Sequence, residues 1–209
     1  MTANNQRPLG RPRASDRKQP TTDIILQAAI ELFLAHSYQE VSVDDVAKAA
    51  NLTKATIYYY YPSKASLFTE TIVQLITRIH GQTQGILQKD IPLRERLLEI
   101  AEAHLTATFN IDLDSFMRET KNNLSEEQIT RMQHAEEQLY KAIEQAIREA
   151  GEKKETSSID STFAAHAYVA LLRVGNYRNR NGNGIFPTTT QTAEQIVDFF
   201  WRGLNPEKV

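Results

Sequence analysis

The sequence predicts an all-α chain of about nine helices: an N-terminal three-helix unit containing a helix-turn-helix, then a larger C-terminal helical domain. Three observations carry this. Apolar residues recur at i, i+3, i+4 and i+7 spacing in one segment after another, beginning with Ile25, Ala28, Ala29, Leu32 and Phe33. Ser, Thr or Asp stands at the start of most of these segments, where a side-chain oxygen satisfies a free backbone N–H. No segment alternates apolar and polar residues as a half-buried strand does. With 8 Gly and 7 Pro in 209 residues the breakers are few, and 41% hydrophobic content suffices for a packed core.

The first helix is expected from about Ile24 to His36, with Thr21, Thr22 or Asp23 as its N-cap. Ser42 caps a short second helix with Val43, Val46, Ala47 and Ala50 as its apolar positions, and Asp44 and Asp45 suit the positive end of its dipole. Asn51 is suited to a left-handed turn residue, and Thr53 to capping a third helix from about Lys54 until Pro62 stops it. Ser63 then caps a long fourth helix with Leu67, Phe68, Ile72, Leu75, Ile76 and Ile79 on one face. Pro92 suits the first position of a fifth helix carrying Leu93, Leu97, Ile100, Ala101, His104, Leu105 and Thr108. A short segment with Leu113, Phe116 and Met117 follows, and Ser125 with Gln128 forms a capping box for a long helix that Gly151 ends. The eighth and ninth helices are expected at about Ser161–Arg178 and Thr190–Leu204, joined by the polar loop Asn179–Pro187. The domains expected are a basic arm over residues 1–20, a helix-turn-helix unit over 21–66 and a larger helical domain over 67–209.

Charge is unevenly spread. The formal net charge is -2, yet residues 1–64 hold eight Lys and Arg against six Asp and Glu, and the stretch before Thr21 holds five bases against Asp16 alone. That arm is either a solvated tail or a segment that follows a phosphate backbone. The chain has no Cys, so disulfides, thiolate metal sites and cysteine nucleophiles are excluded. None of His36, His80, His104, His134 or His166 has Glu three residues before it, as a di-iron bundle requires. No HExxH, phosphate loop or nucleophile elbow is present, and the Asn181–Gly184 stretch lacks the Lys-Ser/Thr that would follow in a phosphate loop. The expectation is therefore not an enzyme, with no metal or cofactor. The polar first 22 residues and the lack of a long apolar run predict a cytoplasmic protein without a membrane anchor.

Residues Ser42–Lys64, SVDDVAKAANLTKATIYYYYPSK, together with IILQAAIELF before them and GRPR at Gly10–Arg13, resemble the DNA-binding domain of the TetR family of transcriptional regulators. The resemblance covers roughly Gly10–Leu67; beyond it only helix number and length are similar. Departures from the family's usual pattern are Ser37 and Asn51 where Gly is common, Ala55 where Gly is frequent, and Tyr61 where Phe usually packs. The resemblance implies a homodimeric repressor that places a recognition helix in the major groove of a pseudo-palindromic operator and is released by a small molecule. It carries over Thr53, Lys54, Ala55, Thr56, Tyr59 and Tyr60 as facing base edges or nearby phosphates, with Ile57 and Tyr61 turned to the core. It carries over Tyr58 and Lys64 as backbone-holding residues, and Ser42 and Val43 as the start of a helix whose amides meet a phosphate. Arg11 and Arg13 either enter a minor groove or belong to a solvated tail. The competing class is a helical adaptor that binds no DNA.

For the C-terminal domain, helices four to seven are expected to enclose an effector cavity lined by Leu75, Ile79, Ile100, His104, Phe109, Phe116, Met117 and Met132. That lining suits a hydrophobic or amphipathic small molecule; His104 either orients it or is a hydrogen-bonded, semi-buried histidine. A homodimer is expected through helices eight and nine, with Ala164, Ala167, Leu171 and Val174 as a small-residue face and Ile196, Val197, Phe200, Trp201 and Leu204 as a bulky one. The alternative for these residues is that they cover the core of their own domain.

Overall fold

The computed structural model describes residues 19–107, 120–177, 179 and 181–205. Among the described residues there are eight α-helices and no strand. They are α1 (Thr21–Ala35), α2 (Val43–Ala49), α3 (Lys54–Tyr60), α4 (Lys64–Leu87), α5 (Leu93–Ala107), α6 (Glu126–Glu152), α7 (Ser161–Gly175) and α8 (Thr189–Leu204). The short helical segment expected at Leu113, Phe116 and Met117 lies outside the described residues, as do Arg11, Arg13 and Phe109.

Local chemistry sets most helix starts. Ser42 with Asp45, Ser63 with Ser66 and Ser125 with Gln128 form reciprocal capping boxes on α2, α4 and α6. Thr53, Asp160 and Thr188 each accept a backbone N–H at the starts of α3, α7 and α8. Helix α1 departs from expectation: it begins at Thr21, so none of Thr21, Thr22 and Asp23 is its cap. Pro20 precedes it instead, and its carbonyl accepts from the Asp23 and Ile24 N–H groups. Pro92 likewise stands just before α5, its carbonyl accepting from Glu95 and Arg96. Helix α6 is not ended by Gly151. It runs on to Glu152, and Lys154 takes the left-handed position at φ 62°. The end is closed locally, the Glu155 N–H donating to the Ala150 carbonyl across the left-handed Lys154, and the Ser157 N–H then donates to the carbonyl of Leu204 at the end of α8.

Two cores result. The N-terminal one gathers Ile25, Ala29 and Phe33 of α1, Val46 of α2, Ile57 of α3 and Leu67, Phe68 and Ile72 of α4. Phe68 meets Phe33 and Tyr38 edge-on, with ring centroids 5.1 and 5.0 Å apart. Helix α4 therefore crosses the boundary expected at residue 66, its first turns belonging to the N-terminal core and its later ones packing along α6. The C-terminal core joins Leu93 and Leu97 of α5, Ile143 and Ile147 of α6, Tyr168 of α7, and Val197 and Leu204 of α8. The Tyr168 hydroxyl, fully buried, donates to the Leu97 carbonyl. At Gly175 three helices meet: a Cβ there would lie 2.6 Å from Leu105 Cδ2 and 2.8 Å from Ile196 Cδ1. His104 sits on α5 where burial, and secondarily the charge of Arg173, pushes its imidazole down to about 4.

Two outcomes follow from this packing. Gly175→Ala forces overpacking between α5, α7 and α8 and is expected to lower stability by ~1–3 kcal/mol in urea unfolding. An unfolded histidine takes a proton near pH 6.5, whereas folded His104 stays neutral until about pH 4. Its stabilising contribution is complete above pH 6.5 and is lost as pH falls toward 4. His104→Gln should therefore show a smaller loss of unfolding free energy between pH 7 and pH 4.5 than the parent chain, measured by urea titration at both pH values.

Candidate nucleic-acid interface

The turn between α2 and α3 is closed by backbone bonds from Asn51 N–H to the Lys48 carbonyl (3.1 Å) and from Leu52 N–H to the Ala47 carbonyl (2.9 Å). This geometry needs a residue at positive φ, and Asn51, at 53°, is among the few non-glycine types that tolerate it. The chain then enters α3, which Ile57 pins to the N-terminal core with Tyr61 just after its end. With that side anchored, the opposite side faces outward. Lys54, Ala55, Tyr58, Tyr59 and Tyr60 are exposed, Tyr59 most of all at 82%. The four-tyrosine run thus divides: Tyr61 packs inward, its hydroxyl pKa raised by burial and by Glu70 and Asp23, while the other three point out. Tyr59 and Tyr60 stack edge-on at 5.0 Å, which orients both rings.

Several carried-over residues have local tasks. The Ser42 hydroxyl accepts from Asp45 N–H and donates to Asp45 Oδ2, and the Val43 side chain is buried, so of Val43 only the backbone N–H lies at the start of α2. Thr53 Oγ1 accepts from Thr56 N–H, and the two threonine hydroxyls are 2.9 Å apart. Lys54 Nζ lies 2.6 Å from Asp44 Oδ2. Lys64 turns back onto its own domain: its Nζ is 4.3 Å from the Tyr38 ring centre and donates to the Gln39 carbonyl at 3.4 Å. Burial there lowers its pKa.

Two residues were missed by the sequence reading. Ser37 replaces a common glycine by capping the next turn, donating its N–H to Glu40 Oε2 while Glu40 N–H donates to its hydroxyl. The signal was the Ser-x-x-Glu spacing. Asp44 was read only as a helix-dipole residue; nothing in the linear sequence shows that the tight turn brings Lys54, ten residues on, to its carboxylate.

Among the described residues, the C-terminal candidates do not line a common hollow. Leu75 and Ile79 are partly buried on α4, and Ile100 is closed into the C-terminal core. Met132, only 2% exposed, is packed into the N-terminal core although it belongs to α6. It fills the seam where α6 meets α4 instead of facing a cavity. The described residues do form a mostly apolar groove of about 540 Å³ between α4 and α6, bordered by Val73, Thr77, His80, Arg131, His134 and Gln138. A second hollow of about 380 Å³ lies under the loop Gly182–Thr189, against Leu105, Gly175 and Thr192. None of the described candidates borders either one. Beside the first groove, Arg131 pairs with Glu70 and ties α6 to the start of α4.

The expected bulky dimer face is also corrected. Ile196, Val197, Phe200 and Leu204 are buried in their own core, because α8 has one apolar stripe and α5 and α7 already cover it. The apolar side chains left outward on these two helices are Phe163 (68% exposed) and Val174 on α7 and Phe199 (71%) on α8.

The model of bacterial regulatory proteins of the tetR family matches residues 25–71, the span from α1 to the second turn of α4. The MftR transcriptional regulator of Mycobacterium tuberculosis is 34% identical over 113 residues, 52% of each chain, so the chain aligns with about half the length of that relative. IcaR of Staphylococcus aureus, a negative transcriptional regulator of the biofilm operon icaADBC, is 38% identical over 50 residues, 24% of this chain and 27% of its own. The structure of the transcriptional regulator FadR from Bacillus subtilis, in complex with stearoyl-CoA, is similar with a TM-score of 0.71 at 13% identity, covering 88% of this chain and 99% of FadR. No described helix is long and apolar enough to cross a membrane. The turn and third helix thus lie inside a segment similar to the DNA-binding region of bacterial regulatory proteins of the tetR family, and the remaining described helices follow the fold of regulators such as FadR.

Proposed function

We propose that the protein is a cytoplasmic, ligand-responsive repressor that binds a pseudo-palindromic operator as a homodimer and leaves it when a small molecule binds. The observation that carries this is α3 itself: a two-turn helix anchored on one side by Ile57 and presenting Thr56 and three tyrosines on the other. A helix held in this way offers the major groove a few side chains in fixed positions. In this reading Ala55 and Thr56 meet thymine methyls, Lys54 meets a base acceptor, and Tyr58, Tyr59 and Tyr60 hold sugar and phosphate. The first amide of α2, at Val43, approaches a phosphate beside the Ser42 cap, and Arg11 and Arg13 extend the contact. Residues 21–66 with the start of α4 form the DNA-binding unit, and the rest senses the effector and pairs the subunits.

The two-fold partner is proposed to pack on the outward stripe of α7 and α8, where Phe163, Val174 and Phe199 would otherwise face water. For the effector we propose a molecule with an apolar chain. The apolar groove between α4 and α6 supports this, as does a structural neighbour that holds stearoyl-CoA. Release follows from connectivity: α4 starts four residues after α3 ends and is tied to α6 by Met132 and by the Arg131–Glu70 pair. A ligand that prefers a different α4–α6 spacing changes the separation of the two recognition helices, and operator affinity falls by the coupling free energy between the two sites.

Two measurements test the reading. Selection from a randomised duplex library should return a two-fold sequence. Tyr59→Ala should weaken binding to all duplexes about tenfold, whereas Thr56→Ala should change preference at particular base pairs by ~1–3 kcal/mol; equal, sequence-independent losses for both would refute the division of roles. Phe199→Glu buries a charge at the proposed subunit contact and should give a monomer in sedimentation at micromolar concentration, with operator binding lost and the thermal melt of the monomer retained.

A further inference from the structure

The pairing of Lys54 with Asp44 is the feature of the α2–α3 surface that the DNA-binding reading does not by itself account for. Lys54 opens α3, Asp44 sits in the first turn of α2, and the Asn51 turn brings Nζ and Oδ2 to 2.6 Å. Both side chains are half exposed, so the pair lies on the outer surface beside Thr56 and Tyr58. Asp45 already forms the capping box with Ser42, which leaves Asp44 outside that role. A carboxylate on a surface that meets phosphates opposes binding unless it alters what its partner cation does.

We propose that Asp44 is a specificity-determining residue: by holding Lys54 it presents that ammonium to a base edge as part of a neutral pair and withholds its charge from the phosphate backbone. The inference rests on the reading of α3 as the recognition helix. Sequence-independent binding comes from cations that neutralise phosphates and release counterions. A lysine whose charge is cancelled at 2.6 Å brings little of that attraction, yet two of its three N–H donors remain for acceptors such as guanine O6 and N7. Fixing the long side chain before binding also removes rotamer freedom that a free lysine would lose at the interface. Lys64 does not offset this neutrality, since its ammonium is folded onto Tyr38 and the Gln39 carbonyl. Among the described residues, the start of α3 is thereby biased toward reading bases over gripping any duplex, with Lys48 on α2 as the exposed cation left beside it.

The test uses the full chain, a duplex it selects from a randomised library, and a scrambled duplex of the same length, each titrated over a salt series. Asp44→Asn keeps the shape and removes the charge. It should tighten binding to the scrambled duplex about tenfold, steepen the salt dependence by about one counterion per subunit, and reduce the selected-to-scrambled ratio by a similar factor. Adding Lys54→Gln to Asp44→Asn should return scrambled binding to the parent level. Equal tightening on both duplexes, an unchanged ratio, or a gain that persists without Lys54 would each overturn the proposal. Asp44→Ser serves as a second variant should Asp44→Asn melt at a lower temperature than the parent. A parent chain that selects no sequence would instead remove the DNA-binding reading, whereas selection with an unchanged ratio removes only the role of Asp44.

Discussion

Leu67, Phe68 and Ile72 of α4 are closed into the same core as Ile57 of α3, so α3 cannot move independently of α4. Close-packed interiors transmit displacement instead of absorbing it. Helix α6 adds Met132 to that core from the other domain, and Arg131, the residue before it, pairs with Glu70 of α4. The small N-terminal unit thus takes its orientation from two long helices whose remaining turns belong to the C-terminal half. In the proposed regulator this shared packing is what connects an event near the α4–α6 groove to the position of α3.

The electrostatics of the α2–α3 surface follow the same economy of parts. Asp45 is used in capping, Asp44 holds Lys54, and Lys64 braces the loop between α1 and α2 through Tyr38 and Gln39. What remains outward is Lys48 on α2 and, on α3, mainly the aromatic Tyr58, Tyr59 and Tyr60 beside a half-buried Thr56. Such groups gain from close, oriented contact far more than from long-range attraction, which suits discrimination between duplexes. The strongly basic segment of the chain is the stretch before Thr21, and it supplies the sequence-independent attraction in the proposed function.

How far the sequence could be read differs from element to element. Ser42, Thr53, Ser63 and Ser125 mark helix starts correctly because capping acts within three residues and needs no tertiary partner. Asn51 announces its left-handed turn for the same reason. Gly151 misleads, since the left-handed residue that closes α6 is Lys154, a type that does not announce that conformation. Ile196, Val197, Phe200 and Leu204 show a clean apolar stripe, but a stripe states only that something covers it. The cover is α5 and α7 of the same chain.

By itself, then, the sequence determined the helices, most of their N-caps and the helix-turn-helix, which arise from periodicity and short-range hydrogen bonds, while the outward face of α3 was implied by the family resemblance. Only the tertiary structure decided that Met132 belongs to the N-terminal core, that Lys64 points back onto Tyr38, that Asp44 engages Lys54, and that Phe163 and Phe199 face outward. Each of these depends on how one helix is rotated and shifted against another. That rotation is set by the sum of many side-chain contacts between distant segments, which no local pattern encodes.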